Sequence, residues 1–544
     1  MSAAFSQHLR SGIRFAGFGK KHMKRRTLLL GAAAVALARP AIGGSASTLM
    51  FVPQAALSSI DPVWTSAMTV RNFGMMVFET LYGRDAEMTP QPQMLAGELI
   101  GDDGRRRTMK LRDGLRFHDG EPVLARDCIA SLRRWMKRDP VGATIEARVD
   151  ALEAPDDRTI VWRLRKPFPH LPRALSKFQT AAVIMPARIA ATDPSKQIPE
   201  AIGSGPFRFL ADEQVIGSFA SFARNERYAP RDEPPSFTAG GHQVLLDRVE
   251  WHMIPDASTA TNALITGEID WIEMPVPDLL PMMRRAGMVT ERLDDWGFIS
   301  QLRPNHLIAP TSNVGVRRAM MAAISQRDVM EALMGGDPSG FIVPVGFLVT
   351  GKPEVDQAGI EHVSQPHSVD QVKAMLGKAG YHGERLVLLH TTDQQFHAAS
   401  STVVADALTR VGMHIDDQAM DWGTTLQRRT SKAELDKGGW SLFTSVTPVP
   451  ESRDPLLASP IRGNGKDAWF GWPTDPTIEA IYAAWLDAQD PAEQTRLERE
   501  YQLAAFDSVP YVPMGRYMLR GAWSPRLSGL LKGPAPVFWN VKKA

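Results

Sequence analysis

Trp469-Phe470-Gly471-Trp472-Pro473 sets three aromatic rings within four residues, just after the flexible Gly463-Asn464-Gly465. Rings beside such a loop suit the apolar mouth of a ligand cleft, and equally a buried corner between lobes. Upstream stand Asp421-Trp422 and the pair Arg428-Arg429. An indole offers a flat apolar wall with one donor, and a guanidinium grips a carboxylate bidentately. Glu451, with Arg453 and Asp454-Pro455 beside it, supplies a carboxylate that pairs well with an ammonium in a partly dry cleft. Plainer roles fit the same residues: Trp422 as core, Arg429 on a solvated helix face, and Asp454 capping a turn, the role we favour for it.

Bond-making constellations are missing. No G-x-S-x-G occurs, and Gly203-Ser204-Gly205 has the wrong spacing and fits a turn. Neither H-E-x-x-H nor C-x-x-C is present. Gly463-Asn464-Gly465-Lys466 imitates a phosphate loop, but Asp467 stands where Ser or Thr must bind magnesium and Pro460 where the first glycine belongs. His362 and His367, and His390 and His397, are spaced wrongly for one helical face. Cys128 is the only cysteine, which rules out an intramolecular disulfide; with Ile129, Leu132 and Trp135 at helical spacing it reads as a small buried hydrophobe. No cofactor and no metal are expected.

The elements that must position these side chains are legible in places. In 247–275, Val249, Trp251 and Met253 alternate with Arg248, Glu250 and His252, a half-buried strand. Pro255 ends it, Asp256 caps a helix running to Thr266, Gly267 stops that helix, and 269–272 return to the sheet. Ser368 and Gln371 form a capping box for a helix that Gly380 ends. A strand at 385–389 follows, then a helix with Val403, Val404, Ala407, Leu408 and Val411 on one stripe, closed by Gly412. Alternating strands and helices predict α/β lobes, and the length calls for at least two cores. Proline-rich interruptions fall at 167–169, 230–235 and 448–455.

The first 46 residues carry eight Lys or Arg and no Asp or Glu. Lys24-Arg25-Arg26 leads into an apolar run at 28–38, too short to span a bilayer, and then Gly43-Gly44-Ser45-Ala46. This predicts an export signal cleaved before Ser47, with the paired arginines pointing to the twin-arginine route. No cysteine stands at the cleavage site, so no lipid anchor is expected and the protein is read as periplasmic. The whole chain is +2; without the leader, 54 basic residues face 60 acidic ones, a net of −6. A mildly acidic chain has no electrostatic footprint for nucleic acid or an anionic membrane.

In wording, 247–275 resembles a segment of the extracellular solute-binding proteins of family 5, which serve peptide-type ABC importers: the matching residues are Asp256, Thr259, Ala260, Ala263, Leu264, Gly267, Glu268, Ile269 and Asp270. Further resemblances run in the family's order. They are Leu57-Ser58-Ser59-Ile60-Asp61-Pro62, a helix at 72–82, the turn Leu111-Arg112-Asp113-Gly114-Leu115-Arg116-Phe117-His118-Asp119-Gly120, Gly203-Ser204-Gly205-Pro206-Phe207, 313–328, 372–381, and Val509-Pro510-Tyr511-Val512-Pro513.

The resemblance implies a type II periplasmic binding protein-like α/β fold, two clamping lobes about a hinge plus an inserted lobe. Lobe I would gather 47–87, 202–300 and 508–544, the inserted lobe II 88–201, and lobe III 301–507. It places Trp422 on the ligand cleft and Arg429 towards the ligand's carboxylate. Glu451 stands where relatives hold an α-ammonium with Asp, one methylene longer, which departs from the usual dipeptide mode. Trp469 and Trp472 fall at the cleft mouth, Arg303 and Asn305 on a crossover strand near it, and Met68 with Arg71, in the stretch 68–72, on the opposite wall. The implied function is the periplasmic component of an ABC importer, a monomer that takes peptides or a peptide-sized solute to a permease driven by ATPase subunits. The alternatives are a nickel or haem chelate carrier on the same fold and a secreted hydrolase.

Overall fold

The computed structural model describes residues 47–335, 337–365 and 367–544; the expected leader lies outside them. Three sheets organise the described chain. The first has seven strands in the order Phe207–Phe209, Phe219–Arg224, Arg248–His252, Thr48–Val52, Trp271–Ile272, Gly521–Trp523 and Val289–Glu291. Thr48–Val52 runs parallel to both neighbours, and the outer strands are antiparallel. Phe51 anchors the core, with the rings of Trp271 and Phe538 at 5.1 and 5.0 Å.

The 247–275 unit forms here for local reasons. Asp256 accepts the Thr259 N–H at 2.7 Å, the helix spans Ala257–Thr266, and Gly267 ends it at φ 81°. The returning strand starts at Trp271, two residues later than the pattern predicts. Asp270 turns its buried carboxylate inward instead, taking the Met50 N–H at 2.9 Å and Lys543 at 2.7 Å.

The second sheet has six strands, ordered Phe341–Ile342, Val512–Tyr517, Phe298–Pro304, Leu442–Pro448, Arg385–Thr391 and His414–Met420. Every residue of Phe298–Pro304 is buried, as befits a strand covered on both faces. Gln395–Arg410 packs on Arg385–Thr391, and Gln326–Met334 on Val512–Tyr517. The predicted capping box is formed: Ser368 and Gln371 exchange side-chain bonds at the start of Val369–Lys378. The chain passes between the two large sheets at 292–297 and again at 518–520.

The third sheet, antiparallel throughout, orders Leu95–Gly101, Arg106–Leu111, Thr159–Leu164 and Val149–Asp156. Helix Ala125–Met136 covers it, with Cys128 wholly buried and burial raising its thiol pKa. The helix expected at 72–82 is instead Met68–Val77. Phe78 is extended, and Glu79–Thr80 pairs with Val183–Ile184. The break is fixed by Gly203, packed so closely on the Val77 carbonyl that a Cβ would collide with it.

Candidate ligand cleft

A cavity of about 320 Å³ opens where three parts of the chain meet. One wall is 63–68, leading into helix Met68–Val77; another is the end of strand Leu442–Pro448, with 422–429 and 467–472; the third is 138–140 with 177–180. Met68, Trp422, Arg429, Glu451, Trp469 and Trp472 all line it.

Asp421 caps helix Trp422–Arg428 by accepting the Thr424 N–H at 2.9 Å, which fixes the helix phase. Trp422 and Arg429 stand two helical turns apart and so share a face. Trp422 lies flat against His397, centroids 4.6 Å apart. The Arg429 guanidinium sits 4.5 Å from the Phe470 ring centroid, 5.6 Å from Trp469 and 5.9 Å from Trp422. It is 5 % exposed, and among the described residues no carboxylate forms an ion pair with it. Its Nε has no hydrogen-bond partner. Burial lowers its pKa to about 9, so it remains charged at neutral pH. Ring faces attract the cation but do not neutralise it. The arrangement can bind an anion entering between the rings.

Arg303 and Asn305 do not line the cavity. Arg303 is fully buried behind the aromatic loop and donates to the carbonyls of Phe470, Trp469 (3.3 Å), Pro460 (2.5 Å) and Pro510 (3.1 Å). Its fork is spent on backbone, so it braces the wall rather than meeting a ligand. Asn305 donates to the Trp440 carbonyl at 3.0 Å and accepts the Leu307 N–H at 3.0 Å. Gly471 completes the brace: at φ 104° it lets the loop pass the Pro304 carbonyl where a Cβ would intrude.

Arg71 also lies off the cavity. It donates to Asn72 Oδ1 at 3.1 and 2.9 Å, lies 5.5 Å from the Phe178 ring centroid, and lines a separate hollow of about 40 Å³. One turn back, Met68 faces the main cavity.

At the other pole, Glu451 sits in the turn Val449–Ser452, 4 % exposed, and its Oε1 has no partner. Burial raises its pKa, against the pull of Lys177 and Arg84. Lys177 lies in the same wall and bonds Asp139 Oδ2 at 2.5 Å and Thr180 Oγ1 at 2.6 Å. Asp454 accepts the Leu457 N–H at 3.1 Å, as a turn cap does, and pairs with Arg173 at 3.1 Å.

Sequence reasoning missed Lys177, Asp139 and His397. Asp139-Pro140 does signal a helix start, and Asp139 caps Pro140–Glu146, but nothing local says that its second oxygen pairs with Lys177 in the wall of a cavity. Burial, then Arg429, lowers the His397 pKa to about 4, so the ring is neutral. Beyond Trp422, Leu426 and Gln54 a second chamber of about 450 Å³ reaches the ends of Thr48–Val52 and Trp271–Ile272. Among the described residues no group of three or more His, Cys, Asp or Glu could hold a metal ion, and no helix is long and apolar enough to cross a membrane.

Residues 89–464 match the model of the bacterial extracellular solute-binding proteins, family 5 middle. The chain is 35 % identical over 491 residues to a Sinorhizobium fredii protein named "Probable peptide ABC transporter periplasmic-binding protein y4tO", covering 90 % of this chain and 92 % of that one. Among solved structures it is similar to the binding protein AgaA of A. tumefacien R10 in complex with agropinic acid, at 20 % identity and TM-score 0.77 over 91 % of this chain and 99 % of that one. It is also similar to DppA of Helicobacter pylori in complex with a peptide, at 19 % identity and TM-score 0.75 over 91 % and 98 %. These two likenesses show the fold.

Proposed function

The chain belongs to the bacterial extracellular solute-binding proteins of family 5, and on that footing we propose that it is the periplasmic substrate-binding component of an ABC importer. It binds peptides, or an organic solute of peptide size, and hands them to a membrane permease worked by ATPase subunits. One observation carries this reading: Arg429 is a buried cation beside a cavity, ringed by aromatics and without a counter-ion among the described residues. A buried unpaired charge is costly, and a ligand carboxylate relieves it with two charge-assisted bonds. Glu451 is the acceptor for the ligand's amino-end N–H, and Trp422, Trp469 and Phe470 flank the backbone between them. A relative named for peptide transport, and a neighbour in complex with a peptide, support this solute class.

The seven-stranded and six-stranded sheets are the clamping lobes in this reading, the four-stranded unit is the inserted one, and the passages at 292–297 and 518–520 are the hinge. Closure follows because the ligand gains contacts only when both walls meet it. No covalent chemistry takes part, and the protein acts as a monomer exported by its twin-arginine leader.

Native mass spectrometry of protein taken from its own periplasm, before and after mild denaturation, tests the reading. A released carboxylate-bearing peptide or peptide-sized solute is expected. A released metal complex without a carboxylate would overturn it.

A further inference from the structure

Two chambers share one wall. Gln54, Ala67, Gln394, Trp422 and Leu426 line both the first cavity and the larger one, of about 450 Å³, beside it. Trp422 and Leu426 stand one helical turn apart, so a single face of helix Trp422–Arg428 serves both. Another wall of the larger chamber is built at the carboxyl ends of three parallel strands, Arg248–His252, Thr48–Val52 and Trp271–Ile272. Open α/β sheets take their ligands in the crevice at such strand ends.

The chemistry of the two chambers differs. The first presents buried polar atoms without partners, among them Arg429 Nε and Glu451 Oε1, and the lining of the second has none among the described residues. Its polar groups next to the sheet are spent within the protein. Gln54 Nε2 donates to Thr69 Oγ1 at 3.2 Å, Thr69 Oγ1 to the Ala55 carbonyl at 3.2 Å, and Thr261 Oγ1 to the Ala257 carbonyl at 2.7 Å. Asp393 is the one ionisable residue of that lining; it is exposed and accepts the Trp422 N–H at 2.8 Å. Ile254, Met274, Val276, Phe396 and Leu426, all half-buried, supply the rest of the surface that matters here.

Resting on the importer reading above, we propose that the second chamber takes an uncharged, aliphatic arm of the same solute, and that the cleft thereby prefers peptide-like solutes carrying such an arm beside the part held in the first cavity. Covering the half-buried side chains with an aliphatic group is favoured in proportion to the apolar area removed from water. An ionised arm would shed water against a wall whose one charged group, Asp393, is itself exposed and screened. Charge is thus read in the first cavity and its absence in the second.

The test is calorimetry on ligand-freed protein with tri- and tetra-alanine, and with the same peptides in which each alanine in turn is Leu, Lys or Glu. At one position Leu should bind about tenfold tighter than Ala, with Lys and Glu there no tighter than Ala. Ile254 lines the second chamber and not the first, so Ile254→Asn should cut that Leu preference to under about threefold. Val276→Asn serves as a second variant, and circular dichroism checks the fold of each. If the alanine peptides bind and no position prefers Leu, or Lys or Glu matches it there, this inference fails and the peptide reading stands. A Leu preference that survives in both variants places the arm elsewhere and also overturns it. If no peptide of the set binds, both fail. If Leu peptides bind where the alanine parents do not, the inference holds.

Discussion

The His397 imidazole lies on the Trp422 indole with their planes 15° from parallel, the Arg429 guanidinium stands 5.9 Å from the centroid of the same indole, and all three side chains line the cavity. The stacked imidazole orders the indole. The stack holds only while the imidazole is neutral, since a second cation beside Arg429 would be unpaired.

That condition gives a pH dependence. His397 is held down to about 4 in the folded protein, below the usual 6.5 of the unfolded chain. The unfolded state therefore binds the extra proton between these values, and stability falls as pH drops from 6.5 towards 4. The contribution of His397 is roughly 3 kcal/mol across that window. Comparing urea midpoints of the wild type and His397→Phe at pH 7 and pH 4.5 should show the shallower loss in the variant; equal losses would place the titration elsewhere.

Arg429→Gln removes the uncompensated charge. Affinity for a carboxylate-bearing solute should drop about a hundredfold, roughly 3 kcal/mol. Unliganded stability should hold or rise, because a buried unpaired cation is lost. Isothermal titration and thermal unfolding of one preparation read both signs, and a variant that binds normally would remove Arg429 from the site.

Glu451→Ala should weaken binding more than tenfold, through the lost acceptor at the amino end. Unchanged affinity would take Glu451 out of the cleft's chemistry.

Arg303→Met probes the brace. Four backbone carbonyls lose their donor, which should cost at least roughly 3 kcal/mol of stability. Tryptophan emission should shift as Trp469 and Trp472 loosen. A variant that loses affinity with unfolding and emission unaltered would show that Arg303 meets the ligand after all.

Some parts were readable one segment at a time. Asp256 and Gly267 bound a helix because capping and left-handed termination are settled by neighbours in the chain. Ser368 and Gln371 do so for the same reason. The motif order along the chain was enough to place it in its family. The start of the strand at Trp271 was not readable, because it depends on Asp270 turning inward to Lys543, far along the chain.

The sequence by itself determined which residues had the chemistry for recognition, and Met68, Trp422, Arg429, Glu451, Trp469 and Trp472 do meet at one cavity. Only the tertiary structure decided which way the others face. Phe298–Pro304 is buried on both sides, so no alternation of polar and apolar residues marks the cavity side of Arg303. Lys177 and Asp139, themselves paired at 2.5 Å, come to the cavity of Glu451 from remote parts of the chain. Charge acts across distance rather than along the chain, and that is why the unpaired charge at Arg429 appears only in the folded protein.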